Sequence, residues 1–245
     1  MEIKNLFSPN FSKKKRLSKT INSIVFHYTG MQSERESIER LCNSKYQVSS
    51  HYLINQNGKV FKLVKDHYVA WHAGKSCWRK DVNLNKKSIG IELANKGHRF
   101  GYTNFAKKQI FQLIKLCKRL KKKYNIRSYN IVGHSDIAPL RKIDPGEKFP
   151  WKLLAKQKLG IWHNIEKKIL IKLRNKKILN NKKKIQFFKN IKKIGYCVFS
   201  GSRSGSISVI KAFQRHFRKE LINGQLDQEC LIISDIIAKK LRKKA

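Results

Sequence analysis

"SIVFHY", Ser23–Tyr28, followed by "SERESIERLC", Ser33–Cys42, sets the architecture. The first stretch is a short apolar run that reads as a buried strand, and the second opens with Ser33 and Glu36 in capping-box spacing, which predicts a helix. Working outward, "SHYLINQNGKVFKLV", Ser50–Val64, carries two apolar runs joined by Asn57-Gly58, the signature of antiparallel strands around a two-residue turn. "SIGIEL", Ser88–Leu93, alternates, so Ile89, Ile91 and Leu93 share one face and Glu92 points away from it. From Phe105 to Tyr124 the residues Ile110, Leu113, Ile114, Cys117, Leu120 and Tyr124 recur at helical spacing with lysines opposite, which makes Cys117 a core residue. "YNIVGH", Tyr129–His134, is a last short strand. The predicted fold class is α/β, a mixed central sheet flanked by helices, over residues 1–160.

Beyond Trp162 the text turns to "IEKKILIKLRNKKILNNKKKI", a lysine-rich connector assigned to 161–184. Residues 185–245 read as three short helices, "IQFFKNIKKIGY", "SISVIKAFQRHF" and "ECLIISDIIAKKL", punctuated by Gly195, Gly201, Gly205 and Gly224. The expected organisation is therefore one enzyme-sized unit, a basic linker and a small three-helix module.

The 245 residues carry a formal net charge of +41, which predicts attraction to polyanions: nucleic acid, anionic lipid or an anionic envelope polymer. Lysine, isoleucine and asparagine are abundant throughout, so part of that charge is a compositional habit. No apolar run reaches the ~20 residues of a membrane span, and "MEIKNLFSPNFSKKKRL" lacks the apolar region of a secretory signal. Five widely spaced cysteines without a C-x-x-C pair argue against a disulfide framework or a cysteine-built zinc site.

The chemistry concentrates in "GHSDIAPLRKIDPGEKFPW", Gly133–Trp151, whose three prolines prevent a helix. His27 ends one strand, His134 follows another, and Asp144 lies ten residues on. Two histidines and a carboxylate satisfy three corners of a tetrahedral zinc site and leave the fourth for water. Pro145 biases Asp144 to extended backbone, where residues two apart face one side, so Lys142 joins Asp144. Such a site suits amide hydrolysis, with Glu92 moving protons and Lys142 stabilising an oxyanion. The same spacing also admits a plain structural reading: His27 in the core, Glu92 a surface charge, Asp136 or Asp144 a turn cap.

The ordered words "FHYTG", "SSHYLINQNGKV", "AWHAG", "IGIELAN" and "VGHSDIAPLRKIDPGEKFPW", covering about 21–151, resemble the type 2 N-acetylmuramoyl-L-alanine amidases, zinc enzymes related to phage amidases and peptidoglycan recognition proteins. The resemblance implies one Zn2+ bound by His27, His134 and Asp144, with Glu92 as proton acceptor and Lys142 as transition-state stabiliser. It implies cleavage of the bond between the lactyl group of N-acetylmuramic acid and L-alanine, in wall turnover or recycling. Trp71, His72, Ala73 and Asn95 are the implied substrate contacts, although His72, like His51, also reads as a packed residue. Some relatives have a cysteine at the third ligand position and a tyrosine before the hairpin histidine; here Asp144 and Ser50 stand there, which points to the branch acting on 1,6-anhydro-muropeptides and cell-wall peptides. The C-terminal "IGY", "VIKAFQRHF" and "INGQLDQEC" resemble, more loosely, a three-helix peptidoglycan-binding module, with "SGSRSGS" in place of its glycine-acid turn; a plain helical cap is the alternative reading.

The remaining histidines, His67, His98, His163 and His216, carry no pattern and read as surface or helix-face residues, and Trp71 and Trp78 as flanks of the cleft turn. The partners expected are peptidoglycan or anhydro-muropeptides and, through charge, anionic envelope polymers. A module that recognises peptidoglycan without cleaving it is the first rival; a nucleic-acid binder is the second, suggested by charge but by no binding motif. A wall-binding module favours the cell envelope, periplasm or secretion, and the bare N-terminus the cytoplasm.

Overall fold

The computed structural model describes residues 1–198 and 203–242. In chain order the first half holds β1 (Ile3–Asn5), β2 (Phe11–Ser12), β3 (Ser23–Tyr28), α1 (Glu34–Cys42), β4 (Tyr52–Ile54), β5 (Val60–Lys62), β6 (Val69–Ala70), β7 (Cys77–Trp78), β8 (Asp81–Val82) and β9 (Ser88–Leu93). The second half holds α2 (Lys107–Lys123), β10 (Ile131–Gly133), α3 (His134–Ile137), α4 (Trp151–Lys156), α5 (Lys167–Leu173), α6 (Asn181–Ile194), α7 (Arg203–Phe217) and α8 (Gln228–Arg242). Six strands form one sheet in the order β1-β5-β4-β9-β3-β10. Only β4 and β5 are antiparallel, so the sheet is mixed, as the pattern predicted.

Parallel strands need cover on both faces, and the alternation supplies it. Ile24, Phe26, Ile89, Ile91 and Leu93 share one cluster with Leu113, Leu116 and Cys117 of α2. On the opposite face Val25 and Val132 join Trp78, Phe187, Phe213 and Ile233 in a second cluster that includes the C-terminal helices. The three expected helices form as α6, α7 and α8, and their buried side chains, Phe187, Phe213 and Ile233 among them, belong to this same cluster. Ser200–Ser202 of the "SGSRSGS" turn lies outside the described residues. No described helix is long and apolar enough to cross a membrane.

Gly133–Trp151, expected to hold no helix, does contain the one-turn α3, which ends before Pro139. Two further local expectations change. The β4–β5 loop is three residues, Gln56–Gly58, rather than a two-residue turn: the Gly58 N–H donates to the Asn55 carbonyl and the Asn55 N–H to the Lys59 carbonyl, each at 3.0 Å. The Asn55 side-chain oxygen also accepts from the Lys59 N–H at 2.7 Å, making Asn55 the closing residue, and Gly58 takes the left-handed conformation at φ 81°. The second change concerns cysteine. Cys77 and Cys197 form a disulfide across 120 residues of sequence, a pairing that no local spacing advertises, while Cys42, Cys117 and Cys230 are free.

Candidate metal centre

The register of β3 on β9 sets His27 directly beside Glu92. Side chains one strand apart in register share a face, so both point to the side opposite α2, at the C-terminal ends of the parallel strands. β10, the other neighbour of β3, ends at Gly133, and the next residue, His134, starts α3. The loop after α3 folds back, held by a 2.8 Å bond from the Ser135 N–H to the Asp144 carbonyl; the Asp144-Pro145 peptide is cis. Gly133 permits this closure: a Cβ there would lie 2.6 Å from Pro145 Cδ. The result brings His27 Nδ1, His134 Nδ1 and Asp144 Oδ2 to 3.0 Å from one another.

The hydrogen-bond partners fix which ring nitrogens carry protons. The Ser88 hydroxyl donates to the Leu84 carbonyl at 2.5 Å and therefore accepts from His72 Nε2 at 3.3 Å. That leaves His72 Nδ1 as the acceptor for His27 Nε2–H at 3.1 Å, and His27 Nδ1 carries a bare lone pair. His134 Nε2–H donates to the Ala73 carbonyl at 3.2 Å. Arg141 lies 3.4 Å from the same nitrogen, but both hydrogens of the Nη2 involved go to the Ala73 and Lys75 carbonyls. With Nε2–H so engaged, the neutral His134 ring presents the lone pair of Nδ1 to the site. Gly90 makes room for the relay, since a Cβ there would sit 2.4 Å from the His72 ring.

Charge states agree. Burial and the neighbouring His134 lower His27 to about 4, and burial with His27 and His51 holds His72 well below its ordinary value, so these imidazoles are neutral near pH 7. Burial alone would raise Asp144, but attraction to His134 and hydrogen bonds to the His134 and His27 rings outweigh it and hold the carboxyl far below its usual range, ionised. Two ring nitrogens and a carboxylate oxygen thus converge on one point. Donors about 2.0–2.1 Å from a tetrahedral ion stand about 3.3 Å apart, close to the spacing seen. Two neutral imidazoles and a carboxylate fit zinc.

Glu92 lies alongside, buried, with Oε2 lacking any hydrogen-bond partner. Burial pushes its carboxyl up to about 8, the Asp144 charge adding to the rise and Lys142 opposing it. Lys142 lines the same cleft of about 370 Å³ as His27, Glu92, His134 and Asp144. The stretch 17–147, which holds every one of these groups, matches the family model for N-acetylmuramoyl-L-alanine amidase. The chain belongs to the N-acetylmuramoyl-L-alanine amidase family.

Relatives of this amidase cover nearly its whole length. It is 36% identical to N-acetylmuramoyl-L-alanine amidase AmiD of Escherichia coli K12 over 233 residues, 90% of this chain and 83% of that protein. It is 32% identical to 1,6-anhydro-N-acetylmuramyl-L-alanine amidase AmpD of Haemophilus influenzae over 169 residues, 62% of this chain and 89% of the relative. Among solved structures, the E. coli AmiD complex with anhydro-N-acetylmuramic acid-L-Ala-D-gamma-Glu-L-Lys superposes with a TM-score of 0.80 at 35% identity, over 90% of each chain. AmpDh3 of Pseudomonas aeruginosa gives 0.81 at 29% identity, over 96% of this chain and 97% of its own.

The amidase distributes the other expected residues unevenly. His72 lines the cleft but is occupied in orienting His27, and Ala73 is fully buried, acting through its carbonyl. Trp71 bonds Ser12 through its indole nitrogen at 3.2 Å and is absent from the cleft lining. Asn95 lines an adjoining hollow with Thr29 and Met31, its amide held by the Thr103 carbonyl and the Gly97 N–H. His51 is packed between Arg16 and the Gly90 N–H. Trp78 is core, against Tyr196. His216 departs from the surface reading: it is buried, stacked on Trp151 and bonded to Asp136. Its position on α7 carried no signal, because its partner is 80 residues away.

Proposed function

We propose that this amidase is zinc-dependent and hydrolyses the amide between the lactyl group of N-acetylmuramic acid and the L-alanine of a stem peptide, in wall turnover or recycling. The observation that carries the reading is the convergence of His27 Nδ1, His134 Nδ1 and Asp144 Oδ2 at 3.0 Å from one another. A zinc ion held there would supply Lewis acidity, polarising a carbonyl and acidifying water. Glu92 Oε2 accepts the proton of the attacking water and returns it to the nitrogen of the departing alanine. Its raised pKa suits that exchange near neutral pH. Lys142, which lines the same cleft, supplies the ammonium that stabilises negative charge growing on the carbonyl oxygen.

The anhydro-muropeptide bound in the E. coli AmiD structure supports that substrate class. Retention of Glu92 beside three ligand atoms disfavours binding without cleavage. Incubation of the zinc-loaded protein with an anhydro-muramyl tripeptide should release free peptide beginning with L-alanine, detected by mass spectrometry. Asp144→Ala should lose the metal and the activity; no cleavage by a wild-type chain carrying one zinc would refute the reading.

The division into a catalytic unit over 1–160, a connector over 161–184 and a helical module over 185–245 belongs to the same proposal, with anionic wall polymers as further partners through the positive charge. A disulfide persists in oxidising compartments, so Cys77–Cys197 favours the cell envelope over the cytoplasm. Thiol trapping of protein from fractionated cells tests this: an envelope protein with these two thiols blocked by their bond is expected, and a fully reduced cytoplasmic protein would overturn it.

A further inference from the structure

The Asp136 carboxylate is buried two residues beyond His134, and it accepts three hydrogen bonds. One comes from the Gly133 N–H, the residue before His134, at 2.8 Å. The other two come from the C-terminal helical segment: the Tyr196 hydroxyl at 2.6 Å and His216 Nδ1–H at 2.8 Å. His216 is clamped in turn, its ring stacked on Trp151 at 3.8 Å and 13°, and Trp151 packs against Phe26, the residue before His27. His216 Nε2 is buried without a partner, so the ring is turned to serve Asp136 at the expense of its other nitrogen.

Tyr196 reaches the same ligand from a second side. Its ring meets Trp78 edge-on at 5.1 Å, and Gly195 allows that approach, since a Cβ there would lie 2.4 Å from the Trp78 indole. The Cys77–Cys197 bond ties the two neighbouring residues together. Trp78 follows the turn whose Ala73 carbonyl receives His134 Nε2–H. One set of contacts therefore holds the backbone around His134, and the other holds the acceptor that fixes its tautomer. A module acting only as a wall tether raises local concentration and has no need of buried contacts behind a metal ligand.

We propose that His216 and Tyr196 are positioning residues of the metal centre, acting through Asp136 on His134, so that the C-terminal helices complete the catalytic site. The proposal rests on the zinc reading above. Groups that orient a ligand from behind typically contribute 10–100-fold to metal affinity or activity. His216→Leu and Tyr196→Phe should each weaken zinc binding by about that factor in chelator competition. Turnover of a soluble anhydro-muropeptide should fall while KM stays near wild type, because neither residue lines the cleft. His216→Asn should recover most of the loss, since its amide nitrogen takes roughly the place of Nδ1.

Ile237→Ala is the control: it cuts a cavity in the same C-terminal cluster without touching Asp136. All variants are measured well below their unfolding temperatures, with hydrogen exchange of amides 133–137 followed in metal-free protein. Expected are faster exchange there and weaker zinc binding in His216→Leu and Tyr196→Phe, and neither in Ile237→Ala. Wild-type zinc affinity in both variants, or an equal loss in Ile237→Ala, would overturn the proposal while leaving the zinc reading intact. A wild-type chain that binds no zinc would overturn both.

Discussion

Glu92 and His27 are register partners on adjacent parallel strands, the proposed proton carrier and a proposed metal ligand, facing the same cleft. The pairing delivers both groups from the stiffest part of the fold, where neighbouring strands hold their separation without loop adjustments. It also separates their chemistry. Glu92 has an unpartnered oxygen beside the site, whereas His27 Nδ1 points at Asp144 and His134.

Glu92→Gln should therefore leave the fold and zinc content unchanged and lower turnover of an anhydro-muropeptide by roughly 10²–10⁴-fold, the scale of a positioned acid or base. Zinc content by elemental analysis and kcat by peptide release check this together. Near wild-type turnover would remove Glu92 from the reaction, and lost zinc would make it a ligand.

Much of this arrangement was legible in the sequence. Alternation in "SIGIEL" put Glu92 opposite Ile89 and Ile91, and the strand-terminal positions of His27 and His134 with pre-proline Asp144 suggested a shared site. What stayed hidden depends on contacts between distant segments. The His27–His72–Ser88 relay requires knowing that Gly90 leaves space for a ring, and the Cys77–Cys197 bond spans 120 residues. His216 looked like a helix-face residue because helical spacing reports which side is apolar, not that Asp136 waits beneath it. The Asn57-Gly58 signal located the hairpin but not its loop length, which the Asn55 side chain decides.

Protonation of Glu92 should also appear in stability. In metal-free protein its folded pKa, raised to about 8 by burial, exceeds the ordinary 4.5, so the folded chain holds a proton that the unfolded chain releases. Stability from this group is then greatest below pH 4.5 and is lost as pH rises to about 8, by roughly 4–5 kcal/mol at most. His27, lowered to about 4, and His51, lowered to about 3, act oppositely, since their stability rises with pH up to the ordinary 6.5. Comparing wild type with Glu92→Gln isolates the carboxyl. In urea titrations with chelator, the advantage of the glutamine variant should widen from pH 4.5 to 8 and then level off. A pH-independent gap would show that Glu92 is not held neutral.

The Cys77–Cys197 bond closes a loop of about half the chain, from just after the cleft turn to just after α6. Long loops gain most from cross-linking, and removing a native disulfide typically costs about 2–5 kcal/mol. The double variant Cys77→Ala/Cys197→Ala should unfold at a clearly lower temperature than wild type under non-reducing conditions. With reductant the two should converge. An unchanged unfolding temperature without reductant would mean that the bond adds nothing to the Trp78–Tyr196 packing beside it.

Truncation after Asn180 separates an appended wall-binding unit from an integral cover. Removing α6, α7 and α8 strips one face of the sheet, exposing Val25, Val132, Trp78 and Ile137, which share their cluster with Phe187, Phe213 and Ile233. At about 1.5–3 kcal/mol for each large side chain returned to water, the loss is of the same order as the 5–15 kcal/mol that stabilises a whole domain. Asp136 also loses the Tyr196 and His216 donors and keeps only the Gly133 N–H. The truncated chain should therefore be poorly soluble, unfold at lower temperature and turn over even small soluble muropeptides slowly. A tether would behave differently, since its loss reduces attachment to sacculi but leaves the chemistry on a soluble substrate alone. Wild-type unfolding temperature and wild-type turnover of the soluble muropeptide, with a defect confined to sacculi, would decide for the tether.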